Sequence, residues 1–225
     1  MLPSPPAAYL FDLDGVLVRT EELHCEAYRA TCAARDLLLP WDFPQYCVAA
    51  HYGPARLQEE LRRELPDLFA GGFTWEDLYR DKSRRYLDLL ADGEVALQPG
   101  TAAVLERLHA AGAARAIATN STREQTLLLR DRLPVLATVE VWVTREDYAA
   151  AKPAPDAYLE ALHRLGSPPP GACLGFEDTP RGLQALTGAG LPAVLVTRVA
   201  YPDLGGVEPR LAIPDLAALP PALLP

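Results

Sequence analysis

Short apolar runs alternate with helical segments along most of this 225-residue chain, and this alternation limits the folds open to it. Runs that are apolar throughout and only a few residues long are typical of parallel strands buried on both faces. They lie at residues 7–13, 113–119, 139–143, 172–176 and 193–197. The repeated order of strand and helix predicts an α/β fold with a doubly wound (Rossmann-like) parallel sheet. In such a sheet, ligands bind beyond the carboxyl ends of the strands.

Helix starts and ends can be placed between the later runs because caps and helix breakers occur there. Ser or Thr at a helix start can accept a hydrogen bond from a free main-chain N–H group, and Gly commonly follows the last turn. We expect helices from Thr101 to Gly112, from Ser121 (with Glu124 as its capping-box partner), from Pro155 to Gly166, and from Thr179-Pro180 to Gly190.

Residues 18–98 break this rhythm. They are rich in Leu, Arg, Glu and Ala at helical spacing, with no convincing strand, and helices are expected at about 21–35, 55–65 and 75–90. We therefore predict two domains: an α/β core formed by residues 1–17 plus 99–225, and an inserted α-helical domain formed by residues 18–98.

The charge of the chain bears on its partners. The formal net charge is −9 and no extended basic run occurs, so nucleic acid and anionic membrane surfaces are disfavoured as partners. The N-terminal segment has no basic region and is interrupted by proline, so we expect no signal peptide and no membrane span. We expect a cytoplasmic, monomeric protein that acts on a small molecule.

Two carboxylates, Asp12 and Asp14, stand at the end of the first apolar run in the segment FDLDG. Their i, i+2 spacing directs both side chains to the same side of a strand, and Gly15 permits a tight turn behind them. One carboxylate of such a pair can attack phosphorus while the other, protonated, donates to the leaving oxygen. A solvent-facing, Asp-rich turn is the alternative.

Two further segments offer groups that could hold a phosphate. Thr119 and Asn120 stand where the second apolar run ends and a helix begins, and a hydroxyl beside free helix N–H groups can bind phosphate. Lys152 precedes another helix start and could balance the charge of a phosphate and of the aspartates. The alternatives are an ordinary helix cap for the first segment and a solvated loop lysine for the second.

Two adjacent acids, Glu177 and Asp178, follow the fourth apolar run. Mg²⁺ prefers hard oxygen ligands and is commonly held by one or two carboxylates together with phosphate oxygens. An acidic helix N-cap, favoured by the helix dipole, is the alternative. All four polar segments follow strands whose carboxyl ends meet, so the sequence predicts a single site for a phosphate and Mg²⁺.

These segments resemble the haloacid dehalogenase superfamily. FDLDGVL, TNS, KPAPD and GFEDTPRG are similar to the four motifs of that superfamily and occur in the same order. The position of the helical insert, directly after the first motif, resembles the helical cap of the β-phosphoglucomutase-like subgroup. The resemblance implies a phosphoryl-transfer enzyme with a cap that opens and closes.

The resemblance also implies a role for each motif residue. Asp12 would be the nucleophile and Asp14 the general acid and base. The phosphoryl group would be held by Thr119, the Asn120 main chain and Lys152. Mg²⁺ would be bound by Asp12, the main-chain carbonyl of Asp14, Glu177 and Asp178.

Three residues of the insert are similar to substrate-binding residues of β-phosphoglucomutase, namely His24, Arg56 in the segment GPAR, and Lys82. His24 could equally be a packed helix residue, and a solvated position on a helix surface is the alternative for the two cations. Arg19 departs from the subgroup, in which an acid is usual at this position, and this leaves the hinge and the local charge undetermined.

Differences inside the superfamily narrow the expected reaction to phosphate esters. Dehalogenases and phosphonate-cleaving members lack the second acid, present here as Asp14, and the ion-pumping ATPases carry lysine where Leu13 stands. We therefore predict a Mg²⁺-dependent phosphatase that hydrolyses a small phosphate ester, such as a sugar or polyol phosphate, through an aspartyl-phosphate. A sugar phosphomutase similar to β-phosphoglucomutase is the alternative, and a catalytically silent binding scaffold is a third hypothesis.

Overall fold

A computed structural model describes residues 5–225 of the chain. Residues 1–4, part of the N-terminal segment in which we expect no signal peptide, lie outside the described range. The chain divides into two compact units. One, the α/β unit, comprises the described part of Met1–Arg19 together with Val95–Pro225, and the other, the helical unit, comprises Thr20–Glu94.

A six-stranded sheet forms the centre of the α/β unit, and within residues 5–225 each neighbouring pair of its strands is parallel. The strands are β1 (Tyr9–Phe11), β2 (Arg115–Ala118), β3 (Val141–Val143), β4 (Leu174–Glu177), β5 (Ala193–Val196) and β6 (Leu211–Ile213). Their order is β3-β2-β1-β4-β5-β6, so the direction of winding reverses between β1 and β4. The predicted doubly wound fold is confirmed, and β1 and β4 flank the position where such sheets bind ligands.

Eight α-helices occur in the described part of the chain. The helical unit contains α1 (Thr20–Ala33), α2 (Phe43–Ala50), α3 (Pro54–Glu64) and α4 (Trp75–Asp92). The α/β unit contains α5 (Thr101–Ala110), α6 (Arg123–Arg132), α7 (Asp156–Arg164) and α8 (Pro180–Gly188). Within residues 5–225, no helix is both long and apolar enough to cross a membrane.

Two elements were not predicted from the sequence. Strand β6 pairs with β5 at the edge of the sheet and only one of its three residues is buried, so it lacks the apolar run of a central strand. Helix α2 is short, but it begins with a capping box in which Asp42 and Gln45 each accept a hydrogen bond from the other's main-chain N–H at 2.9 Å. That capping box was a signal that could have located α2.

Two helix starts differ from the prediction by one residue. The cap of α5 is Gly100 and not Thr101, whose hydroxyl donates to the Leu17 carbonyl oxygen instead. Helix α6 is capped by Thr122, which forms a capping box with Gln125. The expected box of Ser121 and Glu124 is therefore wrong, because Ser121 is buried and its hydroxyl is used elsewhere.

Apolar packing places β1 beside β4. The rings of Phe11 and Phe176 are directly paired across the two strands and stack with centroids 4.6 Å apart. Helices α7 and α8 pack on the sheet through apolar side chains, and burial of each leucine contributes roughly 1.5–3 kcal/mol. This packing cluster includes Leu10, Ala116, Ala118, Val143, Tyr158, Leu162, Leu183 and Leu186. The residues that directly follow Phe11 and Phe176 are thereby held side by side.

Candidate active site

Three strand ends and one loop bring the motif residues together. Because β1 lies between β2 and β4, the residues at their carboxyl ends are neighbours. Asp12 follows β1, Thr119 follows β2, and Glu177 is the last residue of β4. Lys152 lies in the loop before α7.

The Lys152 ammonium group stands among the carboxylates, and its side chain is almost fully buried. Its Nζ donates to Asp12 Oδ1 at 2.7 Å and to Glu177 Oε1 at 2.6 Å. Two further acceptors are the Ala118 carbonyl oxygen at 2.8 Å and the Tyr158 hydroxyl at 3.1 Å. Three N–H bonds are thus shared among four acceptors. Lys152 is an internal cation and not a solvated loop lysine.

The pKa of Asp12 is affected by burial and by the neighbouring charged groups. Burial raises the pKa of Asp12, the carboxylates of Glu177 and Asp14 raise it further, and Lys152 only partly opposes them. Burial alone would lower the pKa of Lys152, but Asp12 and Glu177 outweigh this effect and raise it. An additional cation would favour the carboxylate form of Asp12, which is the form that a nucleophile needs.

The acids at the strand ends fit a divalent cation. Asp12, Glu177 and Asp178 are buried, and each offers an oxygen within 4.8 Å of the others. Oε2 of Glu177 is buried and has no hydrogen-bond partner among residues 5–225. Three carboxylates beside one lysine leave an excess of negative charge, and hard oxygen donors suit Mg²⁺. Asp14, expected to contribute its main-chain carbonyl, lies two residues after Asp12.

Two glycines allow the main chain to approach these acids closely. Gly15 has a φ of +76°, a conformation that favours glycine, and an added Cβ would lie 2.1 Å from Asp178 Oδ2. In α8, a Cβ added at Gly182 would lie 1.9 Å from Glu177 Oε2. A larger residue at either position would displace one of the carboxylates.

Asp14 is held by two hydroxyl groups. Ser121 Oγ donates to Asp14 Oδ2 at 2.6 Å, and Thr119 Oγ1 donates to the same oxygen at 3.0 Å. The Ser121 N–H donates to Thr119 Oγ1 at 2.9 Å, which orients that hydroxyl. Both hydroxyls donate to the same carboxylate oxygen, so they fix the orientation of the Asp14 carboxyl group. The Thr119 hydroxyl, expected to hold a phosphoryl group, contacts Asp14 in this structure.

The Asn120 side chain connects the end of β2 with the loop that carries Lys152. Asn120 Oδ1 accepts from the Tyr148 hydroxyl at 2.7 Å and from the Lys152 N–H at 3.2 Å. The Tyr148 hydroxyl also lies 2.9 Å from the Thr119 carbonyl oxygen. From the sequence, only the main chain of Asn120 was given a role.

Three residues at this site were missed from the sequence, namely Ser121, Tyr148 and Tyr158. Ser121 belongs to the TNS motif, and its position beside Thr119 could have indicated it. Tyr148 lies four residues before Lys152, and Tyr158 lies six residues after it. Because a loop has no regular repeat, these spacings do not predict that the side chains meet. Nothing local in the sequence indicated where their hydroxyl groups point.

The helical unit contains a polar pair formed by the buried Lys82 of α4 and the half-buried His24 of α1. Lys82 Nζ lies 2.5 Å from His24 Nδ1, and the His24 ring stacks on Tyr86 with centroids 3.7 Å apart. Burial, and then the Lys82 charge, lower the pKa of His24 to about 3. His24 is therefore neutral at pH 7 and accepts a hydrogen bond through Nδ1. Lys82 is buried and not a solvated residue of a helix surface.

A second polar pair in the helical unit, formed by the half-buried Glu21 and the buried His51, was not predicted. His51 Nε2 lies 2.9 Å from Glu21 Oε2. Burial alone would raise the pKa of Glu21, but His51, with smaller effects of His24 and Lys82, brings it to about 2. Glu21 is thus a carboxylate throughout the physiological pH range.

Arg56, the third residue expected to contact substrate, lies in the first turn of α3. Its side chain is 53% exposed, and Nη2 lies 3.0 Å from Glu60 Oε1, one helical turn away. This pair is typical of a solvated helix surface. The substrate-binding role of Arg56 remains a prediction.

Known proteins resemble this chain over most of its length. A model of the haloacid dehalogenase-like hydrolase family matches residues 6–190. The chain is 36% identical over 224 residues to protein CbbY of Rhodobacter capsulatus, and the match covers 97% of each chain. It is 30% identical over 193 residues to a Drosophila melanogaster protein named "Probable pseudouridine-5'-phosphatase", which covers 83% of this chain and 80% of that protein.

A solved structure shares the same architecture. The crystal structure of a CbbY mutant from Rhodobacter sphaeroides in complex with xylulose-(1,5)-bisphosphate superimposes with a TM-score of 0.71 and 29% identity. The match covers 95% of this chain and 96% of that chain. The family match, the similarity to relatives and the shared fold agree, and this chain is an enzyme of the haloacid dehalogenase-like hydrolase family.

Proposed function

We propose that this enzyme is a phosphatase that hydrolyses a small sugar or polyol phosphate through an aspartyl-phosphate on Asp12. The proposal is supported most directly by the 2.7 Å contact of Asp12 with the buried Lys152 ammonium, inside a cluster of three carboxylates. Asp14, two residues further along the chain, supplies a second carboxyl group. It is bound by two hydroxyl groups, whereas Asp12 is bound by an ammonium group. Two carboxyl groups that differ in this way suit the separate roles of nucleophile and proton carrier.

The first step transfers the phosphoryl group to the enzyme. A carboxylate oxygen of Asp12 attacks phosphorus as the bond to the leaving oxygen breaks, and Asp14 gives its proton to the leaving alcohol. Lys152 Nζ offsets negative charge on Asp12 and on the phosphoryl oxygens. The hydroxyls of Ser121 and Thr119 then stabilise Asp14 as a carboxylate.

The second step returns the enzyme to its starting state. Asp14 accepts a proton from a water molecule, which attacks phosphorus and releases inorganic phosphate from Asp12. Proton transfer by a positioned carboxyl group contributes about 10²–10⁴-fold to such a reaction. Most of the remaining acceleration would come from positioning and charge stabilisation.

We further propose that Asp12, the Asp14 carbonyl, Glu177 and Asp178 hold Mg²⁺. When bound, the cation supplies positive charge next to the phosphoryl oxygens. Chelation with EDTA should abolish turnover, and added Mg²⁺ should restore it. Ca²⁺ should substitute poorly because it prefers more ligands and a looser geometry. Full turnover by metal-free protein would contradict a role for the cation.

We propose that residues 1–17 plus 99–225 are the catalytic core and that residues 18–98 are a cap that contacts the substrate away from the scissile phosphate. Lys82, His24 and Arg56 offer two cations and a neutral imidazole, which suit a second phosphate or sugar hydroxyls. The relative solved with xylulose-(1,5)-bisphosphate makes a sugar bisphosphate the first substrate to test. The expected partner is thus a small phosphorylated metabolite, acted on by a cytoplasmic monomer.

The experiment is phosphate release from a panel that contains xylulose-(1,5)-bisphosphate, sugar monophosphates, glycerol phosphates and an aryl phosphate. We expect inorganic phosphate from one or more sugar or polyol esters, at a kcat/KM at least tenfold above that for the aryl ester. Asp12→Asn is the control for contaminating phosphatases. No release from any ester by the wild-type protein would support a binding scaffold and contradict the proposal.

A sugar phosphomutase is the second candidate, and the His24–Lys82 pair favours it because such a pair could orient a sugar during phosphoryl return. Analysis of the products of β-glucose 1-phosphate separates the two activities. A mutase would convert this ester to glucose 6-phosphate with little free phosphate, whereas a phosphatase would release phosphate and glucose.

A further inference from the structure

Tyr158 is a buried residue that the proposed reaction does not use. It lies in the first turn of α7, where its side chain is fully enclosed and forms part of the apolar cluster between α7, α8 and the sheet. Its hydroxyl is directed at the acids and not into the apolar cluster. A buried hydroxyl costs free energy unless it is hydrogen-bonded, and phenylalanine would fill the same space without that requirement. The role of the Tyr158 hydroxyl must therefore lie in the hydrogen bonds that it forms.

The Tyr158 hydroxyl is satisfied as both donor and acceptor. It accepts from Lys152 Nζ at 3.1 Å and donates to Glu177 Oε1 at 2.5 Å. Lys152 also donates to Glu177 Oε1 directly, at 2.6 Å. The three groups form a closed triangle in which one carboxylate oxygen receives two hydrogen bonds.

The other oxygen of Glu177 has the opposite surroundings. Oε2 is buried without a hydrogen-bond partner among the described residues, although Gly182 leaves it room. Glu177 contributes one oxygen to the group from Asp12, Glu177 and Asp178 that lie within 4.8 Å of one another. Because Oε1 already receives two hydrogen bonds, Oε2 is the Glu177 oxygen left for a cation. Rotation of the carboxylate would break both hydrogen bonds and would move Oε2 from its present position.

We propose that Tyr158 is a positioning residue that directs Glu177 Oε2 towards the bound cation. Its hydroxyl, together with Lys152, holds Oε1, and this leaves Oε2 as the oxygen available to the cation. The inference rests on the proposed cation site but not on the identity of the substrate. Partners that orient a metal ligand in this way typically affect metal affinity by 10- to 100-fold.

The test is the affinity for Mn²⁺, used as a paramagnetic substitute for Mg²⁺ and measured by electron paramagnetic resonance without substrate. Tyr158→Phe keeps the ring and removes the hydroxyl, and its Kd for Mn²⁺ should rise about tenfold. Turnover at saturating cation should stay within a few-fold of wild type. The matched control is Tyr9→Phe at the start of β1, which removes a buried hydroxyl that donates to the Leu223 carbonyl oxygen and not to an acid of the site. Its Kd should not change.

A double-mutant cycle with Glu177→Gln separates positioning from a general structural effect. If Tyr158 acts through Glu177, adding Tyr158→Phe to Glu177→Gln should weaken Mn²⁺ binding no further. Additive losses, an unchanged Kd in Tyr158→Phe, or a Tyr158→Phe protein that does not fold would each overturn the inference. Wild-type protein that binds Mn²⁺ but releases no phosphate would contradict the proposed function alone.

Discussion

Each unit of this enzyme buries a lysine, and the two lysines have different surroundings. Lys152 of the α/β unit contacts two carboxylates at 2.7 and 2.6 Å, and these raise its pKa. Lys82 of the helical unit contacts the neutral ring nitrogen of His24 at 2.5 Å and lies 5.2 and 4.9 Å from the ring centroids of Tyr28 and Tyr86.

The difference shows how one kind of side chain can serve two purposes. Lys152 is neutralised in place, so it holds neighbouring carboxylates in a fixed arrangement. The positive charge of Lys152 is largely balanced by the carboxylates of Asp12 and Glu177. Lys82 contacts the His24 ring nitrogen and the rings of Tyr28 and Tyr86, and Glu21 is an electrostatic partner of it. Aromatic rings attract a cation without neutralising its charge.

The largest expected effect is that of Asp12→Asn, which removes the nucleophile and preserves its shape. Turnover should fall by about 10³-fold or more, equivalent to about 4 kcal/mol, for every substrate of the panel. The fold should be retained, because the change also removes a carboxylate whose pKa is raised by burial and by Glu177. Steady-state kinetics and circular dichroism check both expectations. More than a few per cent of wild-type turnover would mean that another residue attacks phosphorus.

The comparison of the two lysines can be tested by replacing each with methionine, which keeps much of the side-chain volume. Lys152→Met should lower the free energy of unfolding by about 3–5 kcal/mol, because it leaves Asp12 and Glu177 buried beside each other without a cation. Lys82→Met should cost less, about 1 kcal/mol, because it removes a hydrogen bond to the neutral His24 ring. Urea unfolding of the apo proteins at pH 7 measures both values. Equal losses would show that the two lysines have the same structural role.

The neutral state of His24, one of the two histidines of the helical unit, predicts that the stability of the protein depends on pH. Its pKa in the folded protein is about 3, below the ordinary 6.5. The unfolded chain therefore binds a proton first as the pH falls below 6.5, and stability declines from there towards pH 3. The decline between pH 6.5 and 5 should reach up to about 2 kcal/mol, since each pH unit contributes at most about 1.4 kcal/mol.

The contribution of His24 is the difference between wild type and His24→Asn. The variant should lose less stability than wild type over this pH range, as measured by urea unfolding at pH 6.5, 6 and 5. Glu21 should not interfere, because its pKa falls from an ordinary 4.5 to about 2, so its effect begins below the range. Identical pH profiles for the two proteins would contradict a neutral His24.

The smallest expected effect concerns Arg56. If the helical unit contacts the substrate, Arg56→Ala should lower kcat/KM for the best sugar phosphate by about tenfold, or 1.4 kcal/mol. An aryl phosphate, which offers nothing for the guanidinium to bind, should be hydrolysed as before. The matched control is Arg63→Ala, which removes another exposed arginine of α3 that pairs with Glu60. No change in either variant would indicate that Arg56 only forms its helix pair with Glu60.

Local sequence patterns predicted which strands and helices occur more accurately than they predicted the residues at which these begin. Five of the six strands were located because each is a short apolar run, whereas β6 at the sheet edge is mostly unburied and lacks that signature. The start of α6 was misplaced because Ser121 and Thr122 can both cap a helix, and serine is the more favoured of the two. Only the contact of the Ser121 hydroxyl with Asp14, 107 residues away in the chain, decides between them.

The sequence by itself determined the fold class, the order of the motifs and the residue types at the site, because strand and helix periodicity and the caps are local properties. The tertiary structure decided which groups meet. Lys152 and Asp12 are 140 residues apart, and Tyr158 and Glu177 are 19 residues apart. These contacts depend on the order of the strands and on the packing of α7 against the sheet, and no short-range pattern specifies either. Whether a buried lysine faces carboxylates or a neutral histidine is likewise a property of its neighbours in space.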